Sequence, residues 1–174
     1  MFIEERDHCR FSWGDLGDIE TGRPHLGPMA PVFVYRLLQY TVRDVLIQEF
    51  NVETANALFF KAGQMAGEHF CQNILDRNLP FNKFVAQLQE RLKDLKIGIL
   101  RMEEIDFESL DMTLTVAEDL DCSGLPLSNE VICVYDEGFI SGVLRAYSGR
   151  DFHVREVDCW ATGDRVCRFD VKAL

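Results

Sequence analysis

The 174-residue sequence has no apolar run that approaches the roughly 20 residues a membrane-spanning helix needs. Residues 1–7 are charged early and lack the apolar centre of a secretory signal. Internal repeats, low-complexity tracts and Pro-rich or Gly-rich linkers are absent as well. We therefore expect a cytoplasmic protein without a membrane span, folded as a single domain over residues 1–174.

Positive charge is scarce. Lys and Arg together number 18 against 29 Asp and Glu, which gives a formal net charge of −11. A surface of this sign repels phosphate backbones, and the sequence shows no basic stripe or helix-turn-helix pattern. The composition therefore argues against nucleic acid as a partner.

Signatures of catalysis are missing too. The sequence has no Gly-rich dinucleotide fingerprint and no recognisable set of nucleophile, base and acid. A binding module is therefore favoured over an enzyme. The 13 Phe residues leave room for an aromatic-lined pocket, although a Phe-rich core explains them equally well.

The apolar pattern places helices early in the chain and strands late. It predicts helices over residues 32–50 and 53–77, a third beginning at Asn82, and a fourth over 128–147. Strands are predicted over 97–105, 110–116, 152–161 and 166–171. This order favours an α+β fold in which an antiparallel sheet packs against several helices.

The inward faces of these helices follow from the same periodicity. The first helix is expected to bury Val34, Leu37, Leu38, Thr41, Val42, Val45 and Leu46. The third is expected to bury Phe84, Val85, Leu88, Leu92 and Leu95. The second is expected to bury Leu58, Phe59, Ala62, Met65, Ala66, His69 and Phe70.

Small residues recur along the second helix. Ala62, Gly63, Ala66 and Gly67 bring a bare backbone to the surface at every turn, although Gly inside a helix costs about 0.5–1 kcal/mol relative to Ala. Two explanations remain open. Another helix packs closely here, which is the simpler one, or a ligand lies against the backbone.

Three of the six cysteines fall in the last 42 residues, and two of these flank a predicted hairpin turn at 162–164. Cys159 and Cys167 would face each other across that hairpin, with Cβ atoms about 4.5–5.5 Å apart. Two thiolates at this distance can share a metal ion. A buried pair without a metal, a cross-strand disulfide and a redox switch are the alternatives.

Glu156 is a further candidate ligand, because zinc accepts Cys sulfur and carboxylate oxygen in tetrahedral sites. It lies three residues before Cys159, so strict alternation puts it on the opposite face of the strand. Its participation requires a bulge or strong twist near Val157 and Asp158. A closed shell of three thiolates and a carboxylate suits a structural or tuning role.

The segment from Cys133 to Gly142, followed by 155–159, Gly163-Asp164 and 167–169, resembles the 4-vinyl reductase domain. The early Gly-Arg-Pro-x-Leu-Gly loop at 22–27 fits this family as well. The resemblance implies a fold like that of the TRAPP tethering subunits and the haem-based nitric-oxide sensors. It also implies a small-molecule-binding role, since the family includes sensor domains of phenol-responsive activators.

The same resemblance implies a zinc site made of Cys133, Glu156, Cys159 and Cys167. The spacings match the family pattern: 23 residues (156 − 133), then three (159 − 156), then eight (167 − 159). Cys9, Cys71 and Cys122 receive no role.

The ligand is expected to be a small apolar or aromatic molecule, and Phe59, Gly63, Gly67 and Met112 are candidates for contacting it. Met112 falls where phenol sensors carry a Trp, which indicates a more apolar pocket. A homodimer through the first two helices is expected. The alternatives are an enzyme or accessory subunit in tetrapyrrole vinyl reduction, and a TRAPP-like assembly protein.

Overall fold

The computed structural model of the chain describes residues 11–128 and 130–174. Cys9 and the segment 1–7, used above to argue against a secretory signal, lie outside these ranges. A short 3-10 helix, Trp13–Leu16, comes first. The helices that follow are α1 (Ile19–Gly22), α2 (Val32–Glu49), α3 (Val52–Ile74), α4 (Phe81–Asp94) and α5 (Val134–Ser148).

A four-stranded sheet has the order β1-β2-β4-β3, and every neighbouring pair is antiparallel. Its strands are β1 (Ile99–Ile105), β2 (Met112–Ala117), β3 (Phe152–Asp158) and β4 (Cys167–Ala173). A second 3-10 helix, Trp160–Thr162, connects β3 to β4. The predicted α+β class with an antiparallel sheet is therefore confirmed.

One face of the sheet carries the core. Along β4, Cys167, Phe169 and Val171 are buried at every second position, as the two-residue repeat of a strand requires. Phe84 of α4 and Val143 of α5 pack in the same hydrophobic cluster. The helices α4 and α5 thus cover this face.

The helices α3 and α5 touch backbone to backbone. A Cβ atom added to Gly63 or Gly67 would lie 2.0 or 2.1 Å from the carbonyl oxygen of Tyr135 or Phe139. Conversely, a Cβ on Gly142 of α5 would lie 2.1 Å from the carbonyl oxygen of Gln64. No real Cβ tolerates such distances, so the small residues serve close helix packing, the simpler of the two explanations offered by the sequence.

This contact also turns α3 away from its predicted inner stripe. Leu58 and Met65 are 40% and 47% exposed, whereas Gly63, Gly67 and Phe70 are buried. The stripe was wrong because the closest packing is made by the glycines, on a different side of the helix. Hydrophobicity alone ranked the faces incorrectly.

Two helix starts differ from prediction. The helix predicted from 128 begins at Val134, because Ser128 donates its N–H to the carbonyl of Ala161 and so pairs with the hairpin. The third helix begins after Pro80, whose carbonyl oxygen accepts the N–H groups of Lys83 and Phe84. Asn82 is therefore not its cap. At its other end Leu95 is 50% exposed, because it follows the last turn.

The helix α2 has no buried residue, contrary to the burial predicted for its apolar face. Among the described residues, no helix is both long and apolar enough to cross a membrane.

Candidate functional site

Four cysteine thiols meet at one point in the interior. The sulfur atoms of Cys122, Cys133, Cys159 and Cys167 all lie within 4.8 Å of one another, and each residue is fully buried. The measured separations are 3.0 Å for Cys122–Cys167, 3.9 Å for Cys133–Cys159 and 3.8 Å for Cys133–Cys167. We call these four residues the thiol cluster.

Four different pieces of the fold supply these thiols. Cys133 is the residue before the first turn of α5, and Cys167 is the first residue of β4. Cys159 follows β3 and precedes the 3-10 helix. Cys122 comes from the loop after β2. The cluster therefore joins α5, the β3–β4 connection and that loop.

Glu156 lies beside the thiol cluster and is only 3% exposed. Its Oε2 accepts the N–H of Cys133 at 3.1 Å, while its Oε1 is buried with no hydrogen-bond partner among the described residues. The register of β3 against β4 shifts between Glu156 and Asp158, which is the bulge that the sequence argument required. An unpaired buried carboxylate oxygen next to four thiols is a donor set that fits a metal ion.

The sulfur separations agree with a tetrahedral zinc site. Zn–S bonds of about 2.3 Å at tetrahedral angles place sulfurs about 3.8 Å apart. The separations from Cys133 to Cys159 and to Cys167 match this value. The 3.0 Å contact of Cys122 with Cys167 is shorter, so these two sulfurs must separate if both bind the same ion.

The thiols influence one another's protonation. Hydrogen bonding with Cys122 lowers the pKa of Cys159, and contact with the same thiol raises the pKa values of Cys133 and Cys167. Burial raises the pKa of Glu156 to about 8, with the negative charge of Cys159 as a second cause. A cation is therefore needed before all these donors give up their protons.

The Cys122 loop is fixed by the polar side of α2. Arg36 donates through Nε to the carbonyl oxygen of Leu120 at 2.7 Å and through Nη2 to that of Ser123 at 2.9 Å. Tyr35 donates its hydroxyl to Asp121 at 2.8 Å. This side of α2 therefore faces the protein body, and the apolar side faces outward.

Sequence reasoning left Cys122 without a role because no spacing motif connects it to the other three cysteines. Its position depends on the Arg36 contacts, which a sequence pattern does not reveal. Of the remaining unassigned cysteines, Cys71 is buried on α3, where it packs in the core.

An apolar cavity lies between α4, α5 and the sheet, next to the thiol cluster. Its volume, measured as space open to the centre of a water-sized sphere, is about 50 Å³. Its wall includes Phe84, Leu88, Met112, Leu114, Phe139 and Val143. The charged groups in this wall are two carboxyl groups, those of Asp119 and Asp136.

Both carboxyl groups are perturbed. Burial, followed by the charge of Asp121, raises the pKa of Asp119 to about 6. Burial also raises the pKa of Asp136 well above its ordinary value, and the charge of Asp119 adds to this. The acidic end of the cavity therefore lies in a region of strongly negative potential.

Of the residues predicted to contact a ligand, Met112 lines this cavity. Gly63 and Gly67 lie against α5, as described above, and Phe59 is on the same helix outside the cavity wall.

The C-terminal part of the chain matches a known domain family. The model of the vinyl-4-reductase domain family matches residues 112–173, from β2 through the thiol cluster to β4. The predicted resemblance to the 4-vinyl reductase domain is thereby confirmed for this part of the chain. The Methanocaldococcus jannaschii protein MJ0150 is 26% identical over 161 residues, which cover 91% of this chain and 86% of that protein.

Solved structures share the fold. The phenol-responsive sensory domain of the transcription activator PoxR, with phenol, superposes with a TM-score of 0.66 at 14% identity, over 84% of this chain and 76% of that one. A vinyl-4-reductase family protein from M. jannaschii gives 0.59 at 17%, over 85% and 84%. A trafficking protein particle complex subunit 3 from Naegleria fowleri, covalently bound to palmitic acid, gives 0.64 at 12%, over 82% and 95%. The TRAPP-like fold prediction is confirmed.

Proposed function

We propose that this chain is a zinc-containing domain that binds a small apolar or aromatic molecule in the cavity between α4, α5 and the sheet. The observation that carries the proposal is the position of that cavity beside the thiol cluster, with Met112 in the cavity wall. Two proteins of the same fold bind phenol or a palmitoyl chain, which supports an apolar occupant.

The cavity must expand to take such a molecule. At about 50 Å³ it is about one third of the ~150 Å³ cavity in which benzene is known to bind. Met102 and Met112 lie in its wall, and methionine side chains change rotamer more easily than branched ones. Binding is therefore expected to displace these side chains first.

Zinc would be held by Cys133, Cys159 and Cys167, with Cys122 or Glu156 as the fourth ligand. Cys122 is favoured because its sulfur already lies within the cluster, whereas one oxygen of Glu156 is engaged by the N–H of Cys133. Glu156 would then orient Cys133. Four protein ligands form a closed shell, so the ion would stabilise the hairpin and the start of α5.

Ligand binding by the zinc-loaded and demetallated chains tests the proposal. Toluene and longer alkylbenzenes should raise the melting temperature of the zinc-loaded protein in a concentration-dependent way. The cavity-filling variant Ile140→Phe should lose this effect, while Val157→Phe, on an exposed position of β3, should retain it. Absence of any shift across the series, with zinc bound, would reject the ligand-binding role.

A homodimer is proposed as well, through the apolar outer face of α2. Val34, Leu37, Leu38, Val42 and Val45 are 44–66% exposed there. Apolar side chains at helical spacing on one exposed face are typical of an interaction surface. A second copy of the chain fits the expected assembly, because a two-fold interface needs only one self-complementary face.

A further inference from the structure

The carboxyl group of Asp136 occupies an unusual position in the apolar cavity. It lies in the cavity wall, and its Oδ2 is buried without a hydrogen-bond partner among the described residues. Burying an unpaired carboxyl oxygen is costly, since the water that it loses is not replaced. Something other than the described side chains and backbone is needed to satisfy it.

Helix stabilisation does not account for this residue. Asp136 is in the first turn of α5, where a negative charge interacts favourably with the helix dipole. The benefit is small and is available equally to an exposed carboxylate. The neighbouring Glu137 also lies in that turn, and its Oε1 accepts the N–H of Glu156 at 2.8 Å. The helix therefore has an acidic residue with a partner and does not require Asp136.

The rest of the cavity wall defines what a partner must look like. Apart from the carboxyl groups of Asp119 and Asp136, the wall consists of hydrocarbon and aromatic side chains with one methionine on each of β1 and β2. Asp119 is already engaged, because its Oδ1 accepts the N–H groups of Asp121 and Cys122 at 2.8 and 3.0 Å. The polar end of the cavity thus offers acceptors for hydrogen bonds, and Asp136 is the one that lacks a donor among the described residues.

We propose that the molecule bound in this cavity has an apolar body and a single hydrogen-bond-donating head group, a hydroxyl or an ammonium, that binds the carboxyl of Asp136. This inference rests on the proposed ligand-binding function and specifies its ligand. The side-chain donor atoms of Asp136, Asp119 and Cys133 lie within 4.8 Å of one another. The head group therefore binds next to the thiol cluster, and the apolar body extends between α4 and the sheet.

Calorimetry on the zinc-loaded full chain tests the proposal with four probes that share one ring: toluene, benzyl alcohol, benzylamine and benzaldehyde. Benzyl alcohol or benzylamine should bind at least about tenfold more tightly than toluene, since a hydrogen bond to a carboxyl group in a dry site strongly favours the donor. Benzaldehyde, which only accepts hydrogen bonds, should show no such gain.

Variants at position 136 assign the preference. In Asp136→Leu the preference for a donor should disappear, while toluene binds within about threefold of wild type. Asp136→Asn keeps an acceptor but loses the charge, so it should retain a preference for the alcohol and lose one for the amine. Asp94→Leu removes an exposed carboxylate from α4 and is the matched control, which should behave as wild type.

The possible failures are distinguishable. If toluene binds but the head groups confer no preference, or if the preference survives in Asp136→Leu, the inference about Asp136 is wrong and the ligand-binding function stands. If none of the four probes binds to the zinc-loaded protein, both are wrong. A loss of bound zinc in Asp136→Leu would overturn the inference differently, by making the carboxyl a metal ligand.

Discussion

The backbone N–H of Cys133 donates a 3.1 Å hydrogen bond to Oε2 of Glu156, 23 residues along the chain. This contact ties the start of α5 to the bulge in β3, and Oε1 of Glu156 has no partner among the described residues beside the thiol cluster. It gives Glu156 two possible relations to a metal ion: direct ligand, or the group that orients Cys133.

Cobalt substitution separates these two roles. If Cys122 is the fourth ligand, Cys122→Ser should lower the thiolate-to-cobalt charge-transfer intensity by about one quarter, because one of four thiolates is lost. Glu156→Gln should leave that intensity unchanged and weaken binding of the metal about tenfold, as is typical when a group supporting a ligand is altered. The reverse pattern, with the spectrum changed only by Glu156→Gln, would assign Glu156 as the ligand.

Arg36 is predicted to control metal affinity from a distance. Its guanidinium group donates to the carbonyl oxygens of Leu120, Asp119 and Ser123 and so fixes the loop that carries Cys122. Arg36→Met should weaken zinc binding about tenfold, measured by competition with a chelating dye.

Arg43→Met is the control for that experiment. Arg43 lies on the same helix, and its guanidinium group donates to Asn56 rather than to the loop. Equal losses of zinc affinity in the two variants would show that α2 as a whole matters, and that the loop contacts of Arg36 do not.

The close contact of α3 with α5 predicts a strong effect from one methyl group. In Gly142→Ala the new Cβ would lie 2.1 Å from the carbonyl oxygen of Gln64. Ala gains up to about 1 kcal/mol over Gly in helix propensity, yet overpacking costs about 1–3 kcal/mol or more, so destabilisation should dominate. Urea unfolding of the zinc-loaded protein would measure the difference.

Gly22→Ala provides the comparison, because no atom lies within 4 Å of a Cβ built at Gly22. Its free energy of unfolding should stay within about 0.5 kcal/mol of wild type. If Gly142→Ala were equally neutral, the two helices would have to be farther apart than the structure shows.

The outer face of α2 predicts a concentration-dependent dimer. Leu38 is 66% exposed at the centre of that face, and Leu38→Lys should shift the protein to a monomer in sedimentation velocity at micromolar concentrations. Leu26→Lys alters a leucine that is 77% exposed outside the helix and should leave the dimer intact. A wild-type protein that sediments as a monomer at high concentration would contradict the proposed interface.

Sequence reasoning succeeded where local geometry dictates the result. The two-residue repeat of strands put Glu156 on the wrong face for joining Cys159, so a bulge at Val157 and Asp158 was required, and the register of β3 shifts there. The alternation of apolar residues likewise placed β2 and the antiparallel sheet correctly, because each strand must bury one face.

It failed where a contact between distant segments decides the outcome. Periodicity identified an apolar face on α2, but it does not say whether the protein itself covers that face. In the structure, the hydrogen bonds of Tyr35 and Arg36 to the 119–123 loop turn the polar face inward. Those same contacts bring Cys122 to the thiol cluster, and no spacing pattern encodes them.

The most direct test of the account is the zinc content of the full chain, purified without an affinity tag or chelator. Mass spectrometry should find about one zinc per chain in wild type and none in the Cys159→Ser, Cys167→Ser double variant. The double variant should also lose melting temperature, because a structural zinc contributes to folding free energy. A wild-type protein that is folded and free of metal, with a melting temperature unchanged by added zinc, would contradict the central claim and leave the thiol cluster as a buried, metal-free group.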